Sequence, residues 1–270
     1  MLTEIIREAW IALKRNYTRS LLTMLGIVWG IATVTLLIAY GSSFRNILVT
    51  GFDAFGKSVV ICWAQQTSEQ PGGQRAGKKV VFEQADVEMV KQDAPLVKHV
   101  CMETVRRPGV SYGDRLLGTT AVRGVCPEYG EMRNEIPSEG RWITSGDEVE
   151  RRRVAFLGGR VREQLFSGRP AIGETILIGG VRFTVIGVME RKLQMSNYFS
   201  PDDESLWIPY SAAGDLWNTR YGAVLVFAPI APQFEKKAMA QVLAAIATRQ
   251  QFSPPTRKPS RCLGGMSFVQ

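Results

Sequence analysis

The stretch Ser20-Leu21-Leu22-Thr23-Met24-Leu25-Gly26, continued by the apolar run Ile27 to Tyr40 and on to Phe44, decides how the rest of the chain is read. It holds twenty-five consecutive residues without Asp, Glu, Lys or Arg. A bilayer core takes about 20 apolar residues in one helix, so residues 20–44 read as a transmembrane helix. Upstream lie Arg7, Lys14, Arg15 and Arg19, whereas Arg45 and Lys57 are the first basic residues beyond it. By the positive-inside rule the N-terminus is cytoplasmic and the residues after about 44 are periplasmic or otherwise extracytoplasmic. A cleaved signal peptide has an apolar region of about 7–15 residues and a small-residue cleavage site, which Ile38-Ala39-Tyr40 does not match. The span reads as an uncleaved anchor in the cell inner membrane.

Working outward toward the N-terminus, Leu2, Ile6, Ala9, Trp10, Leu13 and Tyr17 recur at helical spacing, with Glu4, Arg7, Glu8, Lys14 and Arg15 between them. Residues 1–19 therefore read as an interfacial amphipathic helix on membrane lipid, with Trp10 and Arg15 at the cytoplasmic interface. Gly26 and Gly30 form a small-x-x-x-small pair, which lets a second helix approach closely.

The chain has 270 residues, 45% of them hydrophobic, which leaves about 200 residues beyond the span for a folded domain. Its net charge is +8; the first twenty residues carry +2 and residues 254–270 carry +3, leaving +3 thinly spread, so nucleic acid is not an expected partner. Cys62, Cys101, Cys126 and Cys262 lack C-x-x-C spacing, which argues against zinc and redox motifs. Four cysteines allow three pairings that sequence does not rank; Cys62 and Cys101 lie in apolar runs and read as small buried residues. His99 is the one histidine and reads as structural. With no Gly-x-Ser-x-Gly and no clustered carboxylates, an anchored hydrolase has no candidate site, and neither a cofactor nor a metal is expected.

Beyond the span, Val59 to Trp63 reads as a buried strand, Phe82 to Lys91 as a helix ending before Pro95, and Val97 to Val105 as the returning strand. Short apolar segments follow: Leu116 to Val125, Val154 to Leu157, Thr175 to Ile178, and Val181 to Met189, with Gly179-Gly180 as a two-residue hairpin turn between the last two. A polar loop spans Gln194 to Glu204. Leu206 to Pro209 and Val224 to Phe227 read as strands, and Phe234, Ala238, Val242, Ala245 and Ile246 line a last helix ending near Gln250. Residues 51–58 match G-x-x-x-x-G-K-[ST], yet a membrane helix precedes them and a strand follows, the reverse of a phosphate loop, so nucleotide binding is rejected.

In that order, Arg19-Ser20, Leu22-Thr23, Leu25-Gly26-Ile27 and Gly30 are joined by Gly124-Val125-Cys126-Pro127-Glu128-Tyr129, Glu139-Gly140-Arg141-Trp142 and Arg153-Val154-Ala155-Phe156-Leu157-Gly158. The longest run is Ile172-Gly173-Glu174-Thr175-Ile176 through Gly179-Gly180-Val181-Arg182-Phe183-Thr184-Val185-Ile186-Gly187-Val188. Over residues 1–253 the chain resembles the N-terminal half of a MacB-type ABC transporter permease, of the FtsX-like permease superfamily. The resemblance implies an α+β fold: one transmembrane helix, then a MacB-like periplasmic core domain over residues 45–253. That domain would be two-lobed, a porter-like α+β lobe with a β-rich lobe inserted at about 110–205. It also implies efflux-type transport with an ABC ATPase subunit, a homodimer or related permease partner, and a periplasmic adaptor protein. The runner-up is a single-pass periplasmic binding or regulatory module, akin to FtsX-like control of cell-wall hydrolases.

The family pattern has three more transmembrane helices, and no second apolar segment of spanning length follows residue 44. Residues 254–270 read as an unstructured tail; Pro255 to Cys262 fit no family text and can be written in codons that restore it in a shifted frame. The expectation is a permease truncated by a frameshift.

Overall fold

The computed structural model describes residues 2–53, 59–64, 79–190, 198–251, 262–263 and 266–269. The chain divides into two compact units, residues 1–50 and 51–270.

In the first unit, α1 (Leu2–Arg15) carries exposed Ile5, Ile6, Trp10 and Ile11. Helix α2 (Tyr17–Asp53) is longer than the stretch of 20–44 that sequence marks, because Gly51-Phe52-Asp53 continue its last turn. Its apolar part, Tyr17–Arg45, is 29 residues; its most apolar 18-residue stretch has a mean hydropathy of 2.3, and none of that stretch is buried within the chain. Such a surface needs lipid or another helix to cover it. The hydroxyls of Thr23, Thr33 and Thr35 donate to the carbonyls of Arg19, Trp29 and Ile31 four residues back, so they present no free donor to hydrocarbon.

The second unit begins with β1 (Val60–Ala64). There follow β2 (Phe82–Glu83), α3 (Gln84–Asp93), β3 (Val97–Arg106), β4 (Val110–Tyr112), β5 (Arg115–Leu117), β6 (Ala121–Val125), α4 (Tyr129–Arg133) and β7 (Pro137–Gly140). Then come α5 (Ser145–Val149), β8 (Val154–Leu157), α6 (Gly159–Phe166), β9 (Thr175–Ile178), β10 (Val181–Met189), β11 (Ser205–Pro209) and α7 (Tyr210–Ala213). The chain continues through β12 (Tyr221–Gly222), β13 (Val224–Pro229) and α8 (Glu235–Gln250). Residues 254–270, expected to be unstructured, include β14 (Cys262–Leu263) and β15 (Met266–Val269), the latter antiparallel to β1. An open sheet edge offers unpaired backbone groups that take up such a segment.

Among the described residues one mixed sheet runs β14-β15-β1-β13-β3-β6-β11-β8-β10-β9-β4-β5, with β7 also on β10. Successive residues of a strand face opposite sides, and here each side is apolar. Val60 and Cys62 of β1, Leu225 and Phe227 of β13, and Val100 and Met102 of β3 pack under α3 and α8. Val59, Ile61, Cys101, Val224 and Val226 face the other way, with Tyr129, Phe156, Tyr198 and Trp207. Arg249 of α8 grips Asp86 of α3 through two hydrogen bonds of 2.5 and 2.7 Å, joining the two helices.

The two expected lobes share one continuous sheet. Strand β3 pairs with β13 over Val97 to Glu103 and with β6 over Thr104 to Arg106, so a single long strand carries the ladder from one lobe into the other. Residues 110–205 also hold three short helices, α4 to α6, and α7 follows β11; the sequence shows no helical period over any of the four. The Gly179-Gly180 turn stands where expected: Ile178 pairs with Val181, and both glycines have positive φ, +56° and +85°. A two-residue hairpin turn of that kind needs left-handed backbone at both positions.

Candidate functional site

Trp10 and Arg15 are both exposed on α1. Gly26 and Gly30 lie one turn apart on α2, and a methyl group added at either would meet nothing within 4 Å. All four residues belong to the first unit.

In the second unit, the outer domain of the expected topology, the most concentrated chemistry is a buried ionic cluster. Arg123 lies in the middle of β6, flanked by Val122 and Gly124, and is fully buried. Its Nη1 donates to Glu103 Oε1 and to the Tyr129 hydroxyl, each at 3.3 Å. Its Nη2 donates to the carbonyls of Tyr198 at 3.1 Å and Ser200 at 2.7 Å, and stands 3.7 Å from Asp202. Arg133 of α4 adds a second guanidinium, 3.3 Å from Asp202. The Tyr198 hydroxyl donates to Glu103 Oε2 at 2.5 Å and shares a 2.6 Å hydrogen bond with Tyr129.

Two carboxylates thus meet two guanidinium groups, all four side chains at 0% exposure. Burial pushes the Glu103 carboxyl up, and Arg123 with the Tyr198 hydrogen bond opposes it. Burial and then Glu103 push the Tyr198 hydroxyl well up, so it stays a donor. Burial works against the Arg123 charge, yet Tyr129, Glu103, Tyr198 and Asp202 hold it protonated. With its charged side chains buried, the cluster fixes β3, β6, α4 and residues 198–202 to one another. The signal in the sequence was a single arginine inside the apolar run Ala121 to Val125.

Beside it, a cleft of about 740 Å³ opens between α3 on one wall and α5 and α7 on the other, floored by Val100 and Met102 of β3. Lys91 and Arg220 stand on its rim, Glu128 and Glu148 on the side of α5. Burial raises the Glu148 carboxyl against the hydrogen bond it accepts from the Ser211 amide at 3.0 Å. At the base lie Cys101 and Cys126, joined in a disulfide. Cys101 is buried as the sequence implies, but it is a bonded half-cystine and not a free small residue; Cys62 is free and buried. Among the described residues no three His, Cys, Asp or Glu side chains are grouped to hold a metal ion.

Comparison with known proteins matches residues 20–248 to the model of the MacB-like periplasmic core domain. The macrolide export ATP-binding/permease protein MacB of Chlorobium luteolum is 31% identical over 209 residues, 77% of this chain and 31% of that protein. The pyoverdine export ATP-binding/permease protein PvdT of Pseudomonas aeruginosa is 32% identical over 228 residues, 84% of this chain and 33% of its own. The chain therefore spans about a third of the length of the curated relatives it matches. Among solved structures, the periplasmic region of MacB from Actinobacillus actinomycetemcomitans superposes with a TM-score of 0.63 at 14% identity, covering 83% of this chain and 93% of that one. The extracellular domain of the ABC-type transporter YknZ from Gram-positive bacteria gives 0.62 at 14% identity, covering 78% and 100%. At that identity the two structures establish the fold.

Proposed function

The chain belongs to the MacB-like periplasmic core domain family, and from that premise we propose that it serves as the first membrane helix and periplasmic core of an ABC-type export permease, working with a partner ATPase. The observation that carries this reading is the extent of the family match, which takes in most of the apolar helix as well as the outer domain. In this reading α2 sits in the inner membrane with its basic N-terminal side in the cytoplasm. The Cys101–Cys126 disulfide supports an outer, oxidising location for the second unit.

Helix α1 then lies on the cytoplasmic surface with Trp10 and Arg15 toward the ATPase. Gly26 and Gly30 receive a helix of a second copy or a related permease. The outer domain meets a periplasmic adaptor, and the buried ionic cluster keeps it stiff enough to move as a body when the membrane part moves. The test is site-specific photocrosslinking in cells from Trp10→p-benzoylphenylalanine in the full chain. A crosslink to an ABC ATPase subunit is the expected outcome; crosslinks to lipid alone, with a cell-wall hydrolase recovered on the outer domain, overturn the reading.

A further inference from the structure

We propose that Cys101–Cys126 is a reducible brace: a site of thiol–disulfide exchange for a dithiol reductant, whose opening loosens the junction between the two halves of the sheet. The junction is narrow. Strand β3 meets β6 through three residue pairs, Thr104 with Gly124, Val105 with Arg123 and Arg106 with Val122. The disulfide crosses the same junction, from Cys101 on β3 to Cys126, the first residue beyond β6.

The surroundings of the two sulfurs accommodate the reduced state as well as the oxidised one. The Cys126 backbone N–H points at Cys101 Sγ from 3.0 Å, where it would stabilise a thiolate. The Met102 carbonyl stands 3.6 Å from the same sulfur, where it accepts from a thiol. Cys126 is half-buried whereas Cys101 is 1% exposed, and both residues are among those lining the 740 Å³ cleft. Attack therefore falls on Cys126.

A thiolate of the reductant bonds to Cys126 Sγ, the Cys101–Cys126 bond breaks, and Cys101 leaves as a thiolate held by the Cys126 N–H before taking a proton from water. The reductant's second thiolate then attacks its own sulfur in the mixed disulfide and releases Cys126. Two electrons have passed, the reductant is now the disulfide, and this chain holds two thiols. A dithiol is the partner class, because its second thiolate completes the exchange within one molecule.

The test uses the full chain with Cys262→Ser in lipid nanodiscs, treated with dithiothreitol under native conditions. Thiols are counted by maleimide mass-tagging and backbone opening by hydrogen exchange. Cys62, free and fully buried, reports global unfolding. The proposal expects Cys126 to label before Cys101 while Cys62 stays unlabelled. It also expects exchange at residues 104–106 and 121–125 to rise about tenfold and to return on reoxidation. Reduction only when Cys62 also labels, or reduction with no change at the junction, overturns it. The double variant Cys101→Ser with Cys126→Ser should exchange like the reduced chain without reductant; if it labels Cys62 instead, the bond is required for the fold and the proposal fails.

Discussion

Arg123 shows most plainly what one residue contributes and how much of it sequence conveys. A lone charge in an apolar strand announces that something must pair with it, since an unpaired buried guanidinium is too costly to keep. Which groups pair with it is non-local: Glu103 lies twenty positions upstream and Tyr198 seventy-five downstream. Replacing Arg123→Met should cost about 3–5 kcal/mol of outer-domain stability, because Glu103 and Asp202 lose a neutralising partner. Adding Glu103→Gln to that variant should recover part of the loss. Chemical denaturation read at the tryptophans measures both, and a loss below about 1 kcal/mol for the single variant would show that the cluster is not a structural load. The cysteines follow the same logic. Their spacing excluded a metal motif, but the Cys101–Cys126 bond exists because β3 and β6 are neighbours in the sheet, a fact no local pattern contains.

At the scale of elements, legibility followed length and periodicity. The apolar helix, the β9–β10 hairpin with its paired glycines, and α8 were all readable, since each repeats its pattern several times or carries a turn residue with a defined backbone need. Helices α4 to α7 were not, because four to eight residues complete too few turns to show a period. The run Leu116 to Val125, read as one segment, is divided into β5 and β6, with Gly118 in the bend between them. A methyl at Gly158, the residue before α6, would sit 2.5 Å from the carbonyl oxygens of Asp202 and of Asp203. Gly158→Ala should therefore destabilise the outer domain by about 1–3 kcal/mol. Gly30→Ile should leave that domain's melting unchanged while weakening helix association in a membrane two-hybrid assay. Equal melting of the Gly158→Ala and parent chains would refute the close approach.

For the whole molecule, the apolar helix was legible in hydropathy and the α+β domain after it in the family resemblance, whereas the single continuous sheet across residues 60–269 was not. That continuity depends on β3 continuing past its pairing with β13 to meet β6, and strand pairing at such separations leaves no trace in local composition. The disulfide makes the proposed placement testable in cells. Rapid acid quenching and alkylation should find Cys101 and Cys126 bonded in a host that oxidises extracytoplasmic thiols and free in one that cannot; free thiols in both would place the domain on the wrong side. Finally, α2 has 37 residues without a proline or a break, about 55 Å of helix against a hydrocarbon core of about 30 Å. A flexible tether would absorb a turn applied at one end. An unbroken helix behaves as a driveshaft, so rotation imposed at Tyr17 arrives as torque at Asp53, with no slack along the way.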